Sequence, residues 1–306
     1  MHVRRRILRG TAIATAIVLL CLGLTVPASA AFPRFHTPNL VVLGDSFASG
    51  VGNVPYLDTN PCRRSNVSYG PILDRLRLLH LQAFVACSGA TTAQVSGHGP
   101  NPGDTVPQID SITGDTDVIT VQALGNDFFV GKIEAICFPP TRLGGQDCDT
   151  NTLIPTPSGA ETIGSIIGRI PTDGLNNLND LYNKIDEKRR LNPNSIVITP
   201  GYPNIIGNGG GLLCTGVSTA EVHFTATMVG NINTAIKTMS DQHHYRYAPV
   251  DSLFRGHDAC SLLPAIYAIA LPGPFPASED ELGGALHPNQ FGQSFYTVAV
   301  AKRLFF

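Results

Sequence analysis

Small turns carrying a serine, a glycine and an asparagine hold the reactive chemistry of this sequence. Ser46 lies two residues after Gly44 in Leu43-Gly44-Asp45-Ser46, and the small run Ala48-Ser49-Gly50-Val51-Gly52 follows. A serine hydroxyl attacks a carbonyl when a base removes its proton, and the resulting oxyanion needs hydrogen-bond donors. Histidines are available as the base. The backbone N–H groups of Ser46 and Gly89 and the side-chain amide of Asn126 are donor candidates. Glycine suits position 89 because a side chain there would block close approach. Each feature has a plainer reading: serines after strands commonly cap turns and helices, and Asn126 serves equally as a turn residue. Asp45 is read as holding its turn by hydrogen bonds rather than as a second acid.

The elements that must position these residues follow from patterning. Residues 40–43 form a short apolar run of buried-strand type, ended by Gly44. Residues 84–87 read as a second strand, followed by Ser88-Gly89-Ala90-Thr91-Thr92. Residues 117–124 read as a third, followed by Gly125-Asn126-Asp127-Phe128. Three strands ending in glycine-plus-polar turns indicate one site built from several loops at the carboxyl edge of a sheet. Residues 195–199 and 245–250 supply two further strands. Helices are expected over 68–81, with Ile72, Leu73, Leu76, Leu78 and Leu79 as the apolar stripe, over 161–170 and 175–190 to either side of Pro171, and over 220–240 behind a Ser218 or Thr219 cap. Residues 132–156 read as a loop insertion closed by Cys137 and Cys148. Pro288 suits a first helical turn, which puts His287 at the start of the terminal helix. Alternating strands and helices give an α/β fold with a parallel sheet. The glycine-rich residues 207–211 lack the lysine of a phosphate loop and read as a pocket rim, and Phe128, Phe129 and Tyr202 either line that pocket or pack.

Residues 1–30 have the layout of an export signal: Arg4, Arg5, Arg6 and Arg9, an apolar run over 11–24, and Ala28-Ser29-Ala30 as cleavage site. Secretion is therefore expected, with residues 31–306 as one domain; the export route stays open. Without the signal the chain has 17 basic and 23 acidic residues, a net −6, and no basic patch points to nucleic acid. Cys62, Cys87, Cys137, Cys148, Cys214 and Cys260 follow the signal, an even number in an exported chain. Pairing of neighbours, 62–87, 137–148 and 214–260, closes the most local loops. No C-x-x-C pair and no suitably spaced histidine supports zinc, and no metal or other cofactor is expected. His98, His223, His243 and His244 read as surface or loop residues; His257, near Cys260, is either a structural histidine or a rival base.

Gly44-Asp45-Ser46 with Gly50, Gly89, Gly125-Asn126-Asp127 and His287-Pro288-Asn289, in that order, resemble the four sequence blocks of the SGNH/GDSL hydrolases. Gly201-Tyr202-Pro203, Phe254-x-Gly256-His257-x-x-Cys260 and the six cysteines are similar to the secreted bacterial esterase/lipase branch. The resemblance implies a three-layer α/β/α flavodoxin-like fold, three sequential disulfides, and hydrolysis of carboxylic esters through an acyl-enzyme. It makes Ser46 the nucleophile and His287 the general base, with Ser46, Gly89 and Asn126 as the oxyanion hole. One position departs: most of the family has aspartate three residues before the histidine, where this chain has Gly284. Either a main-chain carbonyl at Gly284 orients His287, as in a Ser-His dyad, or Asp280, Glu281 or Glu279 folds back; the carbonyl is preferred. The expected partner is a small-molecule or lipid ester, with at most transient contact with a lipid interface and no obligate protein partner. Two alternatives are a carbohydrate O-deacetylase of the same fold and a non-catalytic glycan- or lipid-binding domain.

Overall fold

The computed structural model describes residues 36–98, 104, 106–138, 147–207, 217–267 and 284–305. Leu40, Val41, Val42 and Leu43 are all fully buried, so β1 (Asn39–Gly44) is covered on both faces. That is why its sequence is continuously apolar rather than alternating. In chain order there follow the one-turn α1 (Ser46–Ser49), α2 (Tyr69–Arg75), β2 (His80–Phe84), α3 (Thr92–Val95), β3 (Val118–Gln122), α4 (Val130–Cys137), the hairpin β4 (Leu153–Thr156) and β5 (Gly159–Thr162), α5 (Ile163–Arg169), α6 (Leu175–Arg189), β6 (Ile196–Pro200), α7 (Thr219–Gln242), β7 (Arg246–Ala248), α8 (Asp251–Phe254) and α9 (Gln290–Phe305). The main sheet has the order β2-β1-β3-β6-β7, with every pairing parallel. Counting its strands alone, this is the flavodoxin-like order 2-1-3-4-5, whose switch point lies between β1 and β3.

The pairing register shows how the two faces are covered. Thr120 takes a hydrogen bond from Tyr69 on α2, and Gln122 donates to the Tyr296 hydroxyl on α9, so these side chains share one face. Thr120 pairs with Ile198, so Thr199 points to the opposite face, where it meets Ser240 of α7. The α6 helix packs beside α7. Helices therefore flank the sheet on both sides, giving three layers.

The structure corrects several expected boundaries. The helix expected over 68–81 ends at Arg75: Arg77 has φ 56°, and the Leu78 N–H returns to the Leu73 carbonyl. Leu76 and Leu78, assigned to the apolar stripe, are 58 % and 38 % exposed. The strand expected at 84–87 pairs earlier, at His80–Phe84, because an edge strand half open to solvent carries little apolar signal. Residues 85–87 still run beside β1, donating to the Val42 and Gly44 carbonyls. The insertion read as loop contains α4 and the β4–β5 hairpin. Capped by Thr162, α5 starts two residues after the expected helix start, and a wide turn over Ile170–Gly174, with Pro171 near its start, joins α5 to α6. Ser218 and Glu221 form a reciprocal capping box on α7.

Bridges Cys62–Cys87 and Cys137–Cys148 are formed as expected; the third expected pair includes Cys214, outside the described residues. The first spans 25 residues and ties the segment before α2 to the turn after β2. Its loss in Cys62→Ser/Cys87→Ser should cost about 3 kcal/mol through the freer unfolded chain, read as a lower urea midpoint. Among the described residues, no helix is long and apolar enough to cross a membrane.

Candidate active site

The site begins where β1 must stop. Gly44 has φ +138°, and a Cβ there would stand 2.3 Å from the Gln122 carbonyl oxygen on β3. Only glycine lets the chain turn away while the two strands remain paired. The Gln108 side chain clamps this turn, accepting from the Gly44 N–H at 2.7 Å and donating to the Gly44 carbonyl at 2.9 Å. Asp45 then caps α1: one oxygen accepts from the Phe47 N–H at 3.0 Å, and the other takes the Tyr202 hydroxyl at 2.5 Å. Burial pushes the Asp45 carboxyl up to about 7, against the pull of these donors. Asp45 thus holds its turn by hydrogen bonds, as expected, and Tyr202 from the turn after β6 is its second partner.

Ser46, the first residue of α1, meets His287 directly. The hydroxyl lies 2.8 Å from Nε2, while Nδ1 is 2.9 Å from the main-chain carbonyl of Ala285. A carbonyl only accepts, so Nδ1 carries the proton by this assignment and Nε2 is left to accept from Ser46. The acceptor is therefore not Gly284, where it was expected. The Gly284 carbonyl instead closes the turn by accepting from the His287 N–H at 3.0 Å, and Leu286 at φ 61° brings the next carbonyl under the ring. Asp280, Glu281 and Glu279 lie outside the described residues. Two main-chain bonds with Tyr267 brace this turn, and the Phe47 ring packs 5.0 Å from the imidazole. Burial holds His287 below the usual histidine range, and the positive charge of Arg63 acts the same way; the Ala285 carbonyl opposes them.

Asn126 sits in a tight turn over Gly125–Phe128, between Leu124 at φ 139° and Phe129 at φ 55°. Two non-glycine residues in that region mark a turn whose shape the surroundings impose. The Asn126 amide donates to the Ala90 carbonyl at 3.1 Å. Gly89 adopts φ +81°, a conformation side chains disfavour. Asp127 joins the two turns: it accepts from the Thr92 N–H at 3.0 Å, the Thr92 hydroxyl at 2.5 Å and the Asn177 amide at 3.1 Å. Nothing local in the sequence marks Asp127 and Asn177 for this role, since only the fold brings α6 to these turns.

Ser46, Gly89, Asn126 and His287 all line one cavity of about 180 Å³. Its remaining wall is mostly apolar, from Val130 on α4, Ile205, and Met228, Val229 and Ile232 on α7. Tyr202 also lines it, whereas Phe128 is buried in the core and Phe129 lies near the Arg169 guanidinium. Glu134 lines the cavity as well, from a helix inside the segment expected as a loop over 132–156. His257 is elsewhere, with Nδ1 2.8 Å from the Leu263 carbonyl and its ring against Phe291 and Phe295. Cys62, Cys87 and Asp104 cluster closely, but the disulfide takes up both sulfurs and leaves no thiolate for a metal.

The comparisons agree with this architecture. Residues 42–294 match the GDSL-like lipase/acylhydrolase family. A lipase of Streptomyces rimosus is 25 % identical over 295 residues, covering 96 % of each chain. Lipase 1 of Streptomyces coelicolor is 24 % identical, covering 83 % of this chain and 82 % of its own. Among solved structures, an extracellular lipase from Streptomyces rimosus superposes with a TM-score of 0.68 at 24 % identity, over 87 % of this chain and all of that one. A phospholipase A1 from Streptomyces albidoflavus NA297 gives 0.66 at 21 % identity, over 87 % and 99 %. With the four sequence blocks converging on one cavity at the carboxyl edge of a flavodoxin-like sheet, this chain belongs to the GDSL-like lipase/acylhydrolase family and is a carboxylic ester hydrolase.

Proposed function

We propose that the protein is an exported esterase or lipase acting through a Ser46–His287 dyad. The observation that carries this reading is the 2.8 Å contact between Ser46 Oγ and His287 Nε2, with Nδ1 turned to a main-chain carbonyl. As the Ser46 oxygen bonds to the ester carbonyl carbon, its proton passes to Nε2. The carbonyl π electrons move to oxygen, which the N–H groups of Ser46 and Gly89 and the Asn126 amide receive. Collapse of this intermediate expels the alcohol, which takes the proton from His287 and leaves an acyl-serine. Water, deprotonated by His287, then releases the acid by the same path. The Ala285 carbonyl orients the ring but stabilises the imidazolium less than a carboxylate would. The apolar wall from α4 and α7 suits an acyl chain.

Export is supported by the layout of residues 1–30, by the two disulfides and by the extracellular relative; residues 31–306 would then be one hydrolase domain. The test is hydrolysis of p-nitrophenyl esters from acetate to palmitate by the oxidised protein and by Ser46→Ala. Turnover that survives the substitution would sink the dyad, and the chain-length profile separates esterase from lipase. Release of acetate alone, from acetylated glycans, would mark a deacetylase.

The same reading fixes the sign of the pH dependence. A base must be neutral, and His287 is held below the ordinary histidine range by its burial. The acid limb of kcat/KM should therefore fall below the titration of an exposed histidine, leaving activity level through neutral pH. An acid limb above that range would contradict the buried, neutral imidazole.

A further inference from the structure

Glu134 lines the cavity but has no part in the dyad chemistry. Glu134 projects from the second turn of α4, four residues and about 6 Å of helix beyond Val130. Its Oε1 is buried and has no hydrogen-bond partner among the described residues. The surrounding wall is aliphatic, with Met228, Val229 and Ile232 contributed by α7. A carboxyl oxygen buried without a partner costs stability and has no structural return in a wall that valine or leucine would fill.

We propose that Glu134 is a specificity-determining residue that selects esters whose acyl chain carries a hydroxyl group. This rests on the dyad reading, since the acyl chain must enter the cavity for Glu134 to meet it. A neutral carboxyl offers one donor and one acceptor, and an alcohol satisfies both at once. A plain alkyl chain leaves both unmatched, and a site built to pair with a hydroxyl rejects the analogue that lacks it. A cationic group is the poorer match, because the surroundings oppose negative charge here: burial, and then the nearby Asp45, push the Glu134 carboxyl up to about 8. Among the described residues, the other titratable groups facing the cavity are Asp45, Tyr202 and His287.

The experiment compares kcat/KM for p-nitrophenyl 3-hydroxybutyrate and p-nitrophenyl butyrate in wild type, Glu134→Gln, Glu134→Leu and Ser46→Ala. The ratio of the two esters cancels effects on the shared acylation chemistry. Wild type and Glu134→Gln should favour the hydroxylated ester by about 10-fold relative to Glu134→Leu, since one hydrogen bond is at stake. As pH rises through the titration of Glu134 the wild-type ratio should climb, because a carboxylate tolerates an alkyl chain less, while Glu134→Gln stays flat. This second comparison decides the matter should Glu134→Leu not fold. A ratio that is equal in all folded variants and has the same pH course in wild type and Glu134→Gln overturns the assignment, provided turnover still depends on Ser46. Turnover of both esters that is independent of Ser46, or absent, overturns the dyad reading and this one with it.

Discussion

Ser46→Ala is expected to lower kcat on a p-nitrophenyl ester by about 10⁵–10⁶-fold, and His287→Ala by a similar factor. The two side chains are one device, joined by a 2.8 Å hydrogen bond. Without the hydroxyl there is no bond to form, and without the imidazole the hydroxyl keeps its proton at neutral pH. The double variant Ser46→Ala/His287→Ala should therefore be hardly worse than either single one. Losses that multiply would mean that serine and histidine act in separate steps or separate sites. Thermal unfolding of Ser46→Ala should remain close to wild type, because Ser46 Oγ is engaged with the ring rather than with the core. The remaining activity reports what binding and the oxyanion donors do alone.

Asn126→Ala carries the second large effect, a fall of about 10²–10³-fold in kcat with KM little changed. The reason is the timing of the charge: the amide is to meet an oxygen that becomes negative only as Ser46 attacks. Asn126 also donates to the Ala90 carbonyl at 3.1 Å, so the variant will lose some stability in the Gly89 turn. The split between kcat and KM tells the two roles apart. A loss confined to KM or to the unfolding temperature would reduce Asn126 to a turn residue. Asp127 makes a useful control, since its carboxylate ties Thr92 and Asn177 to this turn without lining the cavity.

Much of the site was legible because its residues are tied to strand ends. Glycine at 44 and 89 and the polar residues at 46 and 126 stand directly after apolar runs. Strands that end in such turns have to converge at the carboxyl edge of a parallel sheet. Family membership was legible for the same reason, from four blocks in order. The disulfides Cys62–Cys87 and Cys137–Cys148 followed from local loop closure. Element boundaries were harder. The apolar residues of 76–79 suggested a longer helix, yet edge position leaves Leu76 and Leu78 in solvent. Residues 132–156 looked like loop, because a helix with mixed polarity on a cavity wall has no clean stripe.

By itself the sequence determined which chemical groups the chain possesses and the order in which the fold delivers them. The alternation of strands and helices set the parallel α/β plan, and the turns after the strands nominated Ser46, Gly89, Asn126 and, with the terminal helix, His287. Only the tertiary structure decided which atoms meet. The carbonyl beneath His287 belongs to Ala285 rather than Gly284, because a left-handed Leu286 rotates one peptide relative to the next. Tyr202 reaches Asp45 across 157 residues, and Glu134 enters the cavity from a helix the sequence concealed. Spacing along a chain limits where a turn stands. The direction of a single carbonyl or carboxyl is set by dihedral angles and packing partners that lie far away in sequence.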